Sequence, residues 1–253
     1  MTTLPISSCK GAFLCAALVA LLASRVSAAT LILDTNSFSD SYGGGEFTAI
    51  SATLNQASYS PLTIVSSLHG TGFETFCMEY GEHFTPGGTY DYTIGNAAIG
   101  GDLPAGFDTV SKGTAWLYAQ FASGSLAGYN YGGTAAQRKL SALQLQLAFW
   151  YLEDETTLSS FVSAHGVFAP ASNAFIGAAI TNFGGLDGPS GAHGDNAAGG
   201  YGVYILNLTS NGGRTLHQSQ INYSVPDNGI TLALVGTSFL GLVALRRKLQ
   251  KNA

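Results

Sequence analysis

Residues 230–245 form an apolar run free of charge, followed at once by Arg246, Arg247 and Lys248. An apolar run of this length with a basic stop is expected to place the chain across a membrane. As a helix the sixteen residues span about 24 Å, a little short of the roughly 30 Å hydrocarbon core, and Gly229 and Leu249 extend it slightly. The basic stop belongs on the cytoplasmic side, which places everything before Val225 outside. The other terminus agrees. Lys10 precedes the apolar stretch 11–23, and the small residues Ser27, Ala28 and Ala29 follow. That is the charged, apolar and small-residue order of a secretory signal peptide over residues 1–29, cut by a signal peptidase after Ala28 or Ala29. Cys9 and Cys15 leave with it.

What remains to fold is an ectodomain of residues 30–224, long enough for one domain with a core of its own. Its basic side chains are only Lys112, Arg138, Lys139 and Arg214, against fourteen Asp and Glu. A surface so poor in positive charge excludes nucleic acid and anionic lipid headgroups as partners and suits the outside of a cell.

The hydrophobic pattern divides this middle into three stretches. Residues 31–33, 47–50, 62–65, 73–80 and 90–94 read as strands separated by Gly, Pro, Asn and Ser. Residues 111–182 read as helical. Ser111 caps a helix carrying Ala115, Trp116, Tyr118 and Phe121, and Thr134 caps a longer one through Leu140, Leu143, Leu147, Trp150 and Tyr151; a third covers 171–182. A glycine-rich loop over 184–202 leads to two final strands, 201–209 and 215–224. Strands, then helices, then strands predict an α+β fold: an antiparallel β-sandwich or sheet with a helical insertion.

Once the signal peptide is gone, Cys77 is the only cysteine. It has no disulfide partner in an oxidising compartment, so it is either buried as a small hydrophobe or chemically used. Gln146 poses a related question. Its helical neighbours Ala142, Leu143, Phe149 and Trp150 are all apolar, whereas Gln144 has Ser141 beside it. An unpartnered buried carboxamide costs about 1–3 kcal/mol, so Gln146 is expected to be engaged. Two readings stand side by side: a hydrogen bond to a loop carbonyl or strand edge, or attack by the Cys77 thiol to leave an internal thioester.

Both the tail and the middle resemble known families. Val225, Pro226, Asp227, Asn228 and Gly229 make a turn at the outer edge of the apolar run, and turn, run and basic stop together resemble the PEP-CTERM sorting signals, closest to the Val-Pro-Asp-Ser-Gly variety with Asn228 in place of serine. The resemblance implies an exosortase-type membrane transpeptidase as partner. It also implies transient anchoring in the inner membrane before processing, then release to the cell surface or extracellular matrix of an exopolysaccharide-making, biofilm-forming bacterium. Within the ectodomain, Thr75-Phe76-Cys77-Met78-Glu79 and Leu145-Gln146-Leu147-Ala148-Phe149-Trp150 resemble the two signature segments of bacterial thioester domains found at the tips of adhesins, with core motifs over about 73–155. By position, that resemblance makes Cys77 the thiol and Gln146 the acyl donor, with Phe76, Phe149 and Trp150 excluding water.

A thioester is a stored electrophile, opened by a surface amine or a polysaccharide hydroxyl; Glu79 and His83 are candidate bases for the incoming group. Attachment of this kind is single-turnover adhesion, not enzymatic catalysis. The enzyme classes find little to rest on: His69, His83, His165, His193 and His217 are scattered, with no catalytic or zinc spacing. Asp187, His193 and Asp195 sit in the glycine-rich loop without calcium-loop spacing. No cofactor and no metal is expected. The alternative role is a non-covalent structural or carbohydrate-binding matrix protein, with Tyr129, Tyr131 and Tyr201 as stacking platforms.

Overall fold

The structure, a computed structural model, describes residues 29–39, 44–100, 107–155 and 170–224. Residues 1–28 of the signal peptide, the sorting motif 225–229, the 230–245 segment, the basic stop and His165 lie outside the described residues. Among the described residues no helix is long and apolar enough to cross a membrane.

Nine strands and three α-helices are present among them. The strands are β1 (Thr30–Ser39), β2 (Gly45–Ile50), β3 (Ile64–Ser66), β4 (Thr71–Thr75), β5 (Gly88–Gly95), β6 (Ala97–Ile99), β7 (Phe107–Thr109), β8 (Val203–Ser210) and β9 (Thr215–Tyr223). The helices α1 (Lys112–Ala122), α2 (Ala135–Leu152) and α3 (Ala174–Phe183) follow β7, so the helical insertion stands between two groups of strands as the pattern predicts. Seven strands form one antiparallel sheet in the order β3-β4-β2-β1-β5-β8-β9. Its ends meet. The segment after β4 turns to pair with β9, where Met78 N donates to Ser219 O and Ile221 N to Phe76 O. The sheet therefore curls into a ring, with β3 as an outlying strand, and is not a two-layer sandwich. A ring of this kind leaves few free strand edges.

Capping decides where the helices begin. Ser111 Oγ accepts from Thr114 N, and Thr134 with Gln137 forms a reciprocal capping box. Asn173 Oδ1 accepts from Phe175 N and Ile176 N, which starts α3 later than periodicity alone predicts; residues 170–172 form a separate 3-10 turn. Gly184, left-handed at φ 72°, ends α3. Pro61 likewise turns the start of the predicted 62–65 strand into a 3-10 turn capped by Ser60. The β6–β7 hairpin was not legible, because three-residue strands carry too little alternation to stand out.

Helix α2 lies across β1 and β2, with α1 and α3 beside it. The core it covers is aromatic: Phe76 meets Phe121 and Phe149 edge-on at 5.0 and 5.2 Å, and Tyr80 meets Trp150 at 5.1 Å. One expectation for α2 is corrected: Leu140, placed on its apolar face, is exposed. Arg138 is buried. Arg138, Ala142, Gln146 and Trp150 follow one another at four-residue steps, so the row facing the sheet carries two polar side chains. The glycine-rich loop is likewise not a loose connection. Ala192 O and Gly194 O accept from Gly113 N and Lys112 N, and Asn196 N donates to Val110 O, tying the loop to the start of α1.

Candidate functional site

Cys77 lies two residues beyond the last β2–β4 rung, Phe47–Thr75, on the segment that closes the ring. It stands opposite Gln220 of β9. Hydrogen bonds run between their neighbours, not between the two residues themselves, so this is the pair type in which Cα atoms sit about 4.5 Å apart and side chains come closest. The N–H and C=O of Cys77 therefore point away from β9, toward a position that β2 no longer fills.

Gln146 fills it. Cys77 N donates to Gln146 Oε1 at 3.0 Å, and Gln146 Nε2 donates to Cys77 O at 2.7 Å. One carboxamide stands in for the peptide group of a missing strand, and both its polar ends are satisfied in a fully buried place. The structure thus brings together the two residues singled out in the sequence, but it places Gln146 on the backbone of Cys77.

The sulfur has a different neighbour. Gln220 Nε2 reaches Cys77 Sγ at 3.5 Å and also donates to Gln218 O at 3.3 Å, while Gln220 Oε1 is buried and accepts no hydrogen bond. Burial pushes the Cys77 thiol up to about 12; the Gln220 contact opposes this and the Glu79 charge adds to it. At neutral pH the group is a thiol. Sequence reasoning missed Gln220. It stands in a largely polar stretch, Gln218-Ser219-Gln220-Ile221-Asn222, which carries no signal of burial, and nothing in the sequence alone pairs residue 220 with residue 77.

Glu79 is buried at 2% exposure, and neither carboxyl oxygen accepts a hydrogen bond of ordinary geometry. Burial raises it to about 9, with further upward contributions from Glu82 and Glu155; the Ser219 backbone pulls the other way. Gln218 Nε2 donates to Glu79 O at 2.6 Å, so β9 fixes this residue too. His83, the other candidate base, is exposed; its carbonyl accepts from Gln218 N. The remaining described histidines are engaged elsewhere. His69 Nδ1 pairs with Asp34 at 2.8 Å, His193 Nδ1 lies 3.3 Å from Asp187, and His217 Nε2 lies 2.8 Å from Ser210.

A second buried polar group flanks the first turns of α2. Arg138 donates to Glu46 through Nε (2.9 Å) and Nη2 (2.7 Å), and Tyr129 donates to the same carboxylate. Glu74 accepts from Thr48 Oγ1 at 2.9 Å and from Asn36, and burial followed by the Glu46 charge raises it well above the carboxylate range. Tyr129 is thereby buried and Tyr131 stacks on Phe121, so neither is an exposed platform; Tyr201 is exposed. Among the described residues no group of three His, Cys, Asp or Glu is arranged to hold a metal ion.

A family model described as the VPDSG-CTERM motif matches residues 224–249. The chain thus carries a PEP-CTERM-type sorting signal, the mark of an exported, surface-associated protein processed by an exosortase-type enzyme. No curated protein and no solved structure matches the chain.

Proposed function

We propose that this exosortase-sorted protein is a surface adhesin or matrix component whose ectodomain attaches covalently through an internal thioester at Cys77. The observation that carries the reading is the buried carboxamide held 3.5 Å from the sulfur of the ectodomain's one cysteine, with its oxygen unpartnered. The geometry favours Gln220 as acyl donor over Gln146. The Gln146 carboxamide lies along the strand edge, committed to two backbone hydrogen bonds, whereas Gln220 projects with Cys77 from paired positions of adjacent strands. Gln146 then holds the thiol-bearing residue in place. Closure joins Sγ to the Gln220 side-chain carbonyl carbon and expels ammonia. Opening by an amine or hydroxyl leaves the target bonded to the protein and frees the thiol. Phe76, Phe149 and Trp150 form a dry wall beside the centre.

The competing role is a non-covalent matrix protein with Cys77 as a buried hydrophobe. The raised thiol and the full satisfaction of Gln146 without any covalent bond favour that role. Intact mass separates the two. The exported chain is expected to lack one ammonia, a loss abolished in Cys77→Ala and in Gln220→Ala and retained in folded Gln146→Ala. Full mass together with quantitative alkylation of Cys77 in denaturant refutes the thioester.

A further inference from the structure

The thiol and the carboxamide do not react unaided. Burial keeps the proton on Cys77 Sγ, and an amide nitrogen leaves only when it is protonated, so closure needs a group that gives one proton and takes another inside a dry site. No described histidine provides it: His69, His193 and His217 are bound elsewhere and His83 is exposed. One titratable side chain meets the requirement. Glu79 follows Cys77 by two residues, so the two side chains leave this extended segment on the same face; it is nearly inaccessible to solvent, and its charge acts on the thiol. A carboxyl buried this deeply with carboxylates as its charged neighbours is costly, and such groups cluster where they serve chemistry.

We propose that the Glu79 carboxyl group is the proton-transfer residue of the Cys77–Gln220 centre. The inference rests on the thioester reading. As the thioester closes, the Cys77 Sγ–carbonyl carbon bond forms and the carbon–nitrogen bond of the Gln220 carboxamide breaks. Glu79 gives its proton to the departing nitrogen, which leaves as ammonia, and receives the thiol proton in exchange. Thiol and carboxamide become thioester and ammonia, and Glu79 ends as it began. On opening, the same carboxyl protonates the departing sulfur and takes the proton of the attacking amine or hydroxyl.

The surroundings suit this role. The groups that face Glu79 are Cys77 on its own segment, Glu82 just beyond, Glu155 after the end of α2, and the uncharged Gln218 and Ser219 of β9. Among the described residues no cation faces it, so the carboxyl keeps its proton at neutral pH, being raised to about 9 chiefly by burial. Glu82 and Glu155 are only half-buried and connect it to solvent for re-equilibration.

The test uses the full chain produced in an exporting host. Intact mass, sampled through the time after synthesis, reads the fraction of chains that have lost ammonia; protease resistance reads folding. Positioned acid–base groups contribute on the order of 10²–10⁴ in rate, so E79Q is expected to close at least tenfold more slowly while remaining folded, with E79D partly restoring closure. A second readout needs no variant. The rate at which methylamine opens the wild-type thioester, per unprotonated amine, is expected to fall as pH rises through about 9, where Glu79 loses its proton. Folded E79Q that closes at wild-type speed, or a flat methylamine profile, overturns the role of Glu79 and leaves the thioester standing. Wild-type chains that keep their full mass overturn the thioester reading, and this inference with it.

Discussion

Replacing Gln146 by glutamate changes one atom of the side chain and tests the strand-mimic geometry directly. The carboxamide accepts from Cys77 N with Oε1 and donates to Cys77 O with Nε2 at 2.7 Å. A carboxylate satisfies the first contact and fails the second, because two oxygens then face each other in a fully buried place with no proton between them. The variant folds well only with its new carboxyl group protonated, so its folded pKa lies far above the unfolded value of about 4.3. A raised folded pKa means that the native state binds the extra proton. Its contribution is complete below the unfolded pKa and is lost as pH rises toward the folded value.

Each unit of that interval costs about 1.4 kcal/mol, so from pH 4.5 to pH 7 the Gln146→Glu variant is expected to lose ~3 kcal/mol relative to wild type. With a urea slope of about 2 kcal/mol per molar, that is a relative midpoint shift of roughly 1.5 M. Urea unfolding at the two pH values, reported as variant minus wild type, removes the pH dependence of the other buried carboxyls. A difference of the same size at both pH values refutes the two-ended hydrogen bond, because a purely steric effect does not titrate.

Two further outcomes follow from the buried charges. Arg138→Ala strands Glu46, which is fully buried and held by Arg138 at 2.7 and 2.9 Å, and should cost about 3–5 kcal/mol in urea unfolding; the double variant Arg138→Met with Glu46→Gln should recover most of it. Glu153 is raised to about 8, chiefly by burial and then by the charge of Asp108, although Ser111 donates to it through both N–H and hydroxyl. Its folded pKa exceeds the unfolded one, so this group destabilises the fold progressively from about pH 4.5 to about 8. Glu153→Gln, which keeps an acceptor for the Ser111 hydroxyl, should raise Tm at pH 8 more than at pH 5, and an equal change at both would contradict the assignment.

The helices and long strands were legible because each announces itself locally. Ser111 and Thr134 cap where a short polar residue precedes an apolar periodic run, and β1, β2, β5, β8 and β9 are runs set off by Gly, Asn or Ser at their ends. The burial of Gln146 was legible for the same reason, its four helical neighbours being apolar. Arg138 lies on the same row, two four-residue steps earlier, but a charged side chain near a helix start reads as solvated unless its partner is known. That partner, Glu46, is 92 residues away. Gln220 was hidden by the same physics at greater range, 143 residues from Cys77. Local pattern tells which side chains leave water; it does not tell which of them meet.

Those long separations bear on when the centre can exist. Gln218, Ser219 and Gln220 of β9 supply the carboxamide at the sulfur, the backbone bond that holds Met78, and the bond to the Glu79 carbonyl. All three come from the last strand of the sheet, whose final residue, Tyr223, stands two places before Val225 of the sorting signal. Before β9 pairs, Cys77 lacks its carboxamide neighbour and Glu79 lacks the strand that fixes it. Contacts that close so long a stretch of chain form only with most of the fold already in place, because their loop entropy must be met by other contacts. The thiol is therefore brought to its carboxamide at the completion of the fold. A reactive electrophile made there arises only in a finished ectodomain, on the strand that leads directly into the signal directing it to the surface.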